Sequence, residues 1–319
     1  MSSEIARRHN SVLIIAAIYL VAHLAFLAPS LEDIDSINFA LGLRHYDVAQ
    51  HQPHPPGYPV YIALGRTAKA VLEAIAPSLG SPRTESLSLA IWSPIAGATA
   101  LIAAYSIFTA VSTASMALWA TALLAATPLF WLAGSRPMSD MPGLALALVA
   151  QALFLKVLKG TTDRRAIVIG AVIAGIAAGV RVQTACLTVP LFAFALVKQR
   201  REGVLWVVTR PVAAMALGGL VWAIPLIALS GGLERYLVAL GSQAGEDFAW
   251  TGMLWTTPTP RRLLFALWET FVLPWDSVPL AIVVGVIALI GLLHILCTSS
   301  TSAAIRKLED IVVYQQPEF

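Results

Sequence analysis

Charged residues are scarce in this sequence, and their scarcity excludes an ordinary soluble domain. Asp, Glu, Lys and Arg make up only 12% of the 319 residues, whereas hydrophobic residues make up 58%. Soluble domains carry about one-quarter charged residues. The mean hydropathy is +0.76. Because apolar runs recur along nearly the whole chain, composition predicts a single membrane domain over 1–319 instead of two soluble domains.

Cysteine is nearly absent, and so is any phosphate-binding glycine loop. Cys186 and Cys297 both lie in apolar runs, which argues against a disulfide framework or a thiolate metal site. A glycine-rich loop of the nucleotide-binding type does not occur, which argues against a nucleotide-sugar enzyme or an ATP-driven pump. The net charge is only +3, and the basic residues form short clusters between apolar runs. This distribution fits a positive-inside topology and excludes nucleic acid as the expected partner.

Apolar segments predict an all-α, polytopic transmembrane bundle of about eight spans, since roughly 20 residues cross ~30 Å of hydrocarbon. The predicted spans are 11–28, 89–111, 114–133, 141–158, 166–180, 184–197, 204–229 and 278–297. The two spans on either side of Arg181 are short. They predict a tight helical hairpin whose turn lies at the membrane–water boundary.

Lysine and arginine placement predicts the orientation of these spans. With eight crossings, the basic segments fall on one side, which the positive-inside rule makes the cytoplasm. These segments are the N-terminal Arg7 and Arg8, the connectors 156–165 and 198–201, and the tail 299–319 with Arg306 and Lys307. We therefore expect a multi-pass protein of the cell membrane, such as the bacterial inner membrane, with both termini in the cytoplasm.

The opposite, external face receives the segments that carry chemistry. They are a large first external loop, 29–88, the turns 134–140 and 181–183, and a second external segment, 230–277. Helix-like spacing over 36–43, with Asp35 or Ser36 as N-cap, predicts a juxtamembrane helix in the first loop. After a proline-rich passage, 60–76 predicts an amphipathic interfacial helix with Arg66, Lys69 and Glu73 on its polar side.

Two motifs of the first loop resemble a known family. Asp33-Ile34-Asp35-Ser36 follows the first span, and His54-Pro55-Pro56-Gly57-Tyr58-Pro59 comes soon after. Their order is similar to that in the GT-C integral-membrane glycosyltransferases, especially bacterial relatives of the protein O-mannosyltransferase family. Ser135–Asp140 and Gly179–Gln183 are similar to segments that face the external site in such proteins. The resemblance implies a GT-C-like fold, a polyprenyl-phosphate sugar donor, an inverting reaction and an external acidic residue as base.

The residues themselves fit that chemistry. Inverting transfer needs a carboxylate to take the proton of the acceptor hydroxyl and a cation to stabilise the departing lipid phosphate. Asp35 is the predicted base, with Asp33 as runner-up, and Arg181 is predicted to hold the phosphate. The structural alternatives are helix capping for the two acids and interfacial anchoring for Arg136 and Arg181. The motifs add the following substrate-binding candidates: His54, Tyr58, Arg136, Asp140 and Gln183.

Histidines offer an alternative, metal-binding interpretation of the first loop. In that interpretation His45, His51 and His54 bind a divalent metal, and Asp33 and Asp35 complete the site. Their spacing matches no tight ligand motif and prolines stiffen the intervening chain, so no metal or other cofactor is predicted. His23 lies inside the first span and is predicted to be a hydrogen-bonded core histidine.

The second external segment is rich in tryptophan. Tryptophan belts occur at membrane interfaces without any substrate, so no catalytic residue is assigned there; sugar stacking or acceptor docking is the alternative. The residues are Trp250, Trp255, Trp268 and Trp275.

Two other functional classes stay open. A secondary transporter would show internal repeats, which this sequence lacks. A non-catalytic GT-C-like protein or a truncated relative would share the fold, since family members commonly carry further helices or an external domain after this point. The expected partners are a polyprenyl-phosphate-linked sugar, an acceptor protein, lipid or glycan, and membrane lipids.

Overall fold

The structure is a computed structural model that describes residues 2–160, 165–200, 206–250 and 258–294. Within these ranges the chain is helical and forms no β-strand, with one isolated bridge between Asp47 and Gln52. The all-α prediction is confirmed. The chain divides into two compact units, Met1–Trp250 and Thr251–Phe319. The predicted cytoplasmic tail, 299–319, lies outside the described residues.

The first unit contains twelve helices among its described residues. They are α1 (Ser2–Leu24), α2 (Ile34–Arg44), α3 (Pro59–Ile75), α4 (Ser81–Ala90), α5 (Trp92–Val111), α6 (Ala114–Ala126), α7 (Pro128–Ala133), α8 (Asp140–Leu158), α9 (Arg165–Val180), α10 (Thr184–Arg200), α11 (Trp206–Leu229) and α12 (Leu233–Trp250). Single 3₁₀ turns occupy Val48–Gln50 and Pro77–Leu79. The described part of the second unit contains α13 (Pro260–Phe271), a 3₁₀ turn (Leu273–Trp275) and α14 (Val278–His294).

Three helical segments among the described residues are long and apolar enough to cross a membrane, namely Ser81–Val111, Asp140–Leu158 and Val208–Leu229. A fourth results if Pro260–Trp275 and Val278–His294, which meet at a bend of 104°, are counted as one broken span. Asn10–Leu24, Ala114–Ala126, Arg165–Val180 and Thr184–Gln199 are shorter apolar helices. The described part of each predicted span is therefore mainly helical, although the first helix ends at Leu24 and its predicted span reaches 28. The number of crossings stays a prediction.

Small residues let the helices of the first unit pack backbone against backbone. A Cβ atom on Gly175 of α9 would lie 2.4 Å from the carbonyl oxygen of Met215, and one on Gly218 of α11 would lie 2.5 Å from that of Val172. Contacts this close require glycine on both helices, as is common where membrane helices cross. Trp222 of α11 donates its indole N–H to the Gly175 carbonyl at 2.8 Å, which fixes the crossing.

The segment predicted as the first external loop is mostly helical and has its own core. Phe39, Tyr61 and Leu89 are fully buried in it, and the same cluster includes Val180 of α9 and Leu226 of α11. Burying this aromatic and aliphatic surface attaches α2, α3 and α4 to the apolar helices. The two juxtamembrane helices predicted at 36–43 and 60–76 are observed at Ile34–Arg44 and Pro59–Ile75.

An ion-pair network around the buried carboxylate of Glu85 joins the same three helices. The side chain of Glu85 in α4 is 0% exposed, and it accepts two hydrogen bonds from Arg44 of α2, at 2.7 and 2.8 Å. Lys69 of α3 lies 3.5 Å from the same carboxylate. Arg66 of α3 donates to the carbonyls of Gly42 and Leu43 at the C-terminal end of α2. The basic residues assigned to a polar interfacial face thus bind neighbouring helices.

His23 is the core histidine that the sequence predicts. It is 3% exposed. Its Nδ1 lies 2.7 Å from the carbonyl oxygen of Tyr19, and its Nε2 lies 2.9 Å from that of Trp131. Both ring nitrogens are therefore engaged with backbone, and the residue joins α1 to α7.

Candidate functional site

One cleft of the first unit collects most of the predicted site residues. Its volume is about 420 Å³, and its wall includes Asp35, His54, Tyr58, Arg181 and Gln183. These residues come from the first turn of α2, the proline-rich passage before α3 and the turn between α9 and α10. We call this cavity the Asp35 cleft. Clefts of a few hundred Å³ with convergent polar groups are typical of small-ligand sites.

The N-terminus of α2 separates the two candidate acids. Asp33 is the N-cap of the helix, and its carboxylate accepts a hydrogen bond from the Ser36 backbone N–H at 2.8 Å. The Ser36 hydroxyl returns the contact by accepting from the Asp33 N–H at 3.2 Å, which completes a capping box. The expectation of Asp35 or Ser36 as the N-cap is therefore wrong, because the helix begins at Ile34. Asp35 lies in the first turn, with its side chain 40% exposed, and lines the Asp35 cleft.

Asp33 also pairs with Arg136. The Nη2 of Arg136 donates to Asp33 Oδ2 at 2.8 Å. Because the second oxygen of Asp33 already caps α2, both carboxylate oxygens of this residue have protein partners. Neither Asp33 nor Arg136 belongs to the wall of the Asp35 cleft. Asp33, the second candidate for the base, and Arg136, a predicted substrate-binding residue, thus pair with each other outside the cleft.

His54 brings a second titratable group to Asp35. Its Nε2 lies 3.7 Å from Asp35 Oδ1 and 3.2 Å from the Tyr58 hydroxyl. The imidazole is held by aromatic packing, with ring centroids 5.6 Å from Phe39 and 5.0 Å from Tyr58. Its side chain is only 12% exposed. The position of the imidazole is therefore set by the surrounding rings, whereas Asp35 keeps access to solvent.

Tyr46 fixes the backbone that leads into this part of the wall. Its hydroxyl donates to the carbonyl of Gly57 at 2.8 Å. Burial raises the pKa of the Tyr46 phenol, so the group stays protonated and remains a donor. Gly57 has φ of +105°, and a Cβ there would lie 2.8 Å from the same hydroxyl, so glycine is required. Tyr58 then begins α3 as its N-cap residue.

Arg181 supplies the cation of the cleft. It lies in the tight turn between α9 and α10 that the sequence predicts, and its side chain is 29% exposed. Its Nη1 lies 3.3 Å from Asp140 Oδ1 and 3.2 Å from the Ser139 hydroxyl. Asp140 and Ser139 therefore both contact Nη1 of Arg181. A guanidinium has five N–H donors, so the remaining ones can bind an oxyanion in the cleft.

Comparison with known proteins gives no family assignment. No family model matches this chain, and no curated protein matches it. Two solved structures of the oligosaccharyltransferase of Archaeoglobus fulgidus, one in complex with Zn and sulfate and one in the apo form, are similar at 16% identity, with TM-scores of 0.49 and 0.48. The similarity covers 90% and 98% of this chain and 40% of each of those chains. The chain thus spans about two-fifths of their length.

Helix α12 supplies a further part of the wall of the Asp35 cleft. Leu240, Gln243 and Ala244 line the cleft, within the segment that the sequence assigns to a tryptophan belt. Two contacts hold α12 there. Arg235 donates to Asp47 Oδ2 at 2.8 Å, and the hydroxyl of Tyr236 donates to the carbonyl of Pro56 at 3.3 Å. Sequence reasoning did not find this wall, because the ion pair joins residues 188 positions apart.

The other histidines of the segment 29–88 lie away from the cleft. His45 and His51 are exposed and line no part of its wall. In the described part of the chain, no group of three or more His, Cys, Asp or Glu side chains is arranged to hold a metal ion. Asp35 and His54 are the two residues of the cleft wall whose side chains commonly bind metal ions.

Proposed function

We propose that this protein is a membrane glycosyltransferase that moves a sugar from a polyprenyl-phosphate donor to an acceptor hydroxyl on the external face, with inversion. The observation that carries the proposal is the meeting of Asp35, His54 and Arg181 in one cleft. A carboxylate with solvent access and a guanidinium with spare donors are the two groups that this reaction needs. The GT-C-like order of the Asp33–Ser36 and His54–Pro59 motifs supports the same assignment.

In the proposed step, the acceptor oxygen attacks the anomeric carbon of the sugar. The new bond forms as the bond between the anomeric carbon and the phosphate oxygen breaks, and the electron pair leaves with the lipid phosphate. Asp35 takes the proton of the acceptor hydroxyl, a contribution of about 10²–10⁴-fold for general-base catalysis. Arg181 binds the phosphate oxygens and offsets the charge that develops on them.

The neighbouring residues have supporting roles in this proposal. His54, 3.7 Å from Asp35, orients the carboxylate, and Tyr58 and Gln183 offer hydrogen bonds to sugar hydroxyls from the same wall. Asp140 positions Arg181 through the 3.3 Å ion pair. Arg136 is assigned to positioning α2 through Asp33, not to contact with substrate.

The proposal is tested with the purified full-length chain and a panel of polyprenyl-phosphate sugars. Transfer by the unaltered protein is expected with at least one donor, and Asp35→Asn should lower kcat by about 100-fold or more while donor binding stays unchanged. Asp35→Asn with full activity would refute the assignment of the base. Donor binding without transfer in the unaltered protein would favour a non-catalytic protein that binds the lipid carrier.

Arg181 has its own test, with Arg136 as the matched control. Lysine keeps the charge but loses the planar pair of donors, so Arg181→Lys should weaken donor binding by about tenfold. Arg136→Lys makes the same change at a residue outside the cleft and should leave donor affinity unaltered. Equal donor affinity for both variants and the unaltered protein would show that Arg181 does not hold the phosphate.

A further inference from the structure

A second cavity of the first unit takes no part in the proposed transfer. Its volume is about 480 Å³, and it lies among α1, α5 and α8. Apolar side chains such as Val12, Ile102 and Leu153 form most of its wall, and Lys156 stands at one end. We call it the Lys156 cleft.

The Lys156 cleft lies at the end of the helices that is remote from the Asp35 cleft. α5 and α8 both begin near the residues of the candidate site, because the Ser93 hydroxyl donates to the Arg136 carbonyl at 2.6 Å and Asp140 pairs with Arg181. The part of α5 that lines the Lys156 cleft begins at Thr99 and continues for ten residues towards its C-terminus. At 1.5 Å per residue that length is about 15 Å. It equals about half of the ~30 Å hydrocarbon layer, which is the depth of one leaflet.

The polarity of the cleft matches a lipid with a negative head group. Its wall is mostly apolar, with the hydroxyls of Thr99, Tyr105 and Ser106 among the apolar side chains. Thr109 and Lys156 lie in the last turns of α5 and α8, so they bring a hydroxyl and an ammonium group to the same end. Lys156 is exposed, and among the described residues no carboxylate lies within 4.0 Å of its ammonium group. A lysine at the membrane surface attracts anionic lipids, and its alkyl chain lies along apolar surface while the ammonium reaches the head groups.

We propose that the Lys156 cleft binds one acyl chain of an anionic phospholipid, whose phosphate lies on the Lys156 ammonium group. The lipid belongs to the leaflet opposite the Asp35 cleft. This inference rests on the crossing of the membrane by α5 and α8, both within segments that are long and apolar enough to do so. It does not depend on glycosyl transfer.

Native mass spectrometry of the purified full-length chain, titrated with phosphatidylglycerol or with phosphatidylcholine, tests the proposal. The unaltered protein should bind phosphatidylglycerol more tightly, and Lys156→Gln should weaken that binding by about fivefold, the usual effect of one basic residue at a membrane surface. Lys159→Gln removes the same charge at the same end of α8 without altering the cleft wall, and because its ammonium group lies outside the cleft, its effect should be smaller than that of Lys156→Gln. Equal loss in both variants, or equal binding of the two lipids, would overturn the proposal.

Photocrosslinking identifies the occupant directly. A photoreactive amino acid in place of Ser106, which lines the cleft, should capture phosphatidylglycerol in preference to phosphatidylcholine when the protein is reconstituted in vesicles that contain equal amounts of both. The same amino acid in place of Ile95, an exposed position of α5 outside the cleft, should capture both lipids equally. Capture of a polypeptide at Ser106, or the same lipid ratio at the two positions, would overturn the proposal.

Discussion

The two acids at the start of α2 provide the sharpest test, because similar substitutions should have different consequences. Asp33→Asn keeps a good N-cap residue and loses the charge that faces Arg136, 2.8 Å away. Both side chains of that pair are partly exposed, so the loss should be about 0.5 kcal/mol. Asp35→Asn removes a negative charge from the first turn, which costs about 0.5 kcal/mol through the helix dipole. The two variants are thus matched in stability, yet only Asp35→Asn should lose transfer.

Asp33→Ala extends the comparison, because alanine also removes the cap. Loss of the side-chain cap costs about 1 kcal/mol, so the total should be about 1.5 kcal/mol. For a unit of about 250 residues this corresponds to a fall of roughly 3–6 °C in Tm. Thermal unfolding in detergent, followed by tryptophan fluorescence at a fixed scan rate, measures it. An Asp33→Asn variant that keeps its Tm but loses transfer would refute the division of roles, and Asp33 would then be the base.

Three further predictions concern the packing around the site. Gly218→Ala should destabilise the first unit by about 1–3 kcal/mol, because the added methyl meets the α9 backbone. Gly219→Ala is the control and should be neutral or stabilising, because a Cβ there has nothing within 4 Å. Equal Tm values for the two variants would contradict the close crossing of α9 and α11. Arg235→Gln leaves the nearly buried Asp47 carboxylate without its cation, so amide hydrogen exchange in α12 should accelerate. Unchanged protection of these amides would show that the ion pair does not hold α12 in place. Glu85→Gln should cost about 2 kcal/mol, because its two cationic partners lose a buried carboxylate; an unaltered Tm would refute this.

The helices were predictable because the sequence patterns that mark them lie within a few neighbouring residues. Apolar runs mark the cores of α1, α5, α8 and α11, and the short pair around Arg181 forms the expected tight turn. Gly57 and the prolines on either side of it likewise mark the passage into α3. Such patterns need only neighbouring residues, since burial and backbone geometry act over a few positions.

The features that the sequence did not indicate depend on distant partners. Glu85 lies in a polar stretch of the predicted loop, yet its side chain is fully buried because Arg44 and Lys69 reach it from two other helices. The α12 wall of the cleft depends on the pairing of Asp47 with Arg235. Charge pairs between helices leave no periodic pattern in the sequence, so only the folded arrangement reveals them.

Helix geometry explains why only one of two acids two positions apart can line the cleft. Asp33 precedes the helix as its N-cap residue with extended backbone, φ −136° and ψ 167°, whereas Asp35 lies in the first helical turn. Asp33 therefore faces Arg136 while Asp35 faces the cleft. Neighbouring positions could not replace Asp35, because Ile34 is 74% exposed and Ser36 is fully buried in the capping box. A carboxylate moved to 34 would point into solvent, and one moved to 36 would enter the core, so transfer should depend on an acid at position 35 itself.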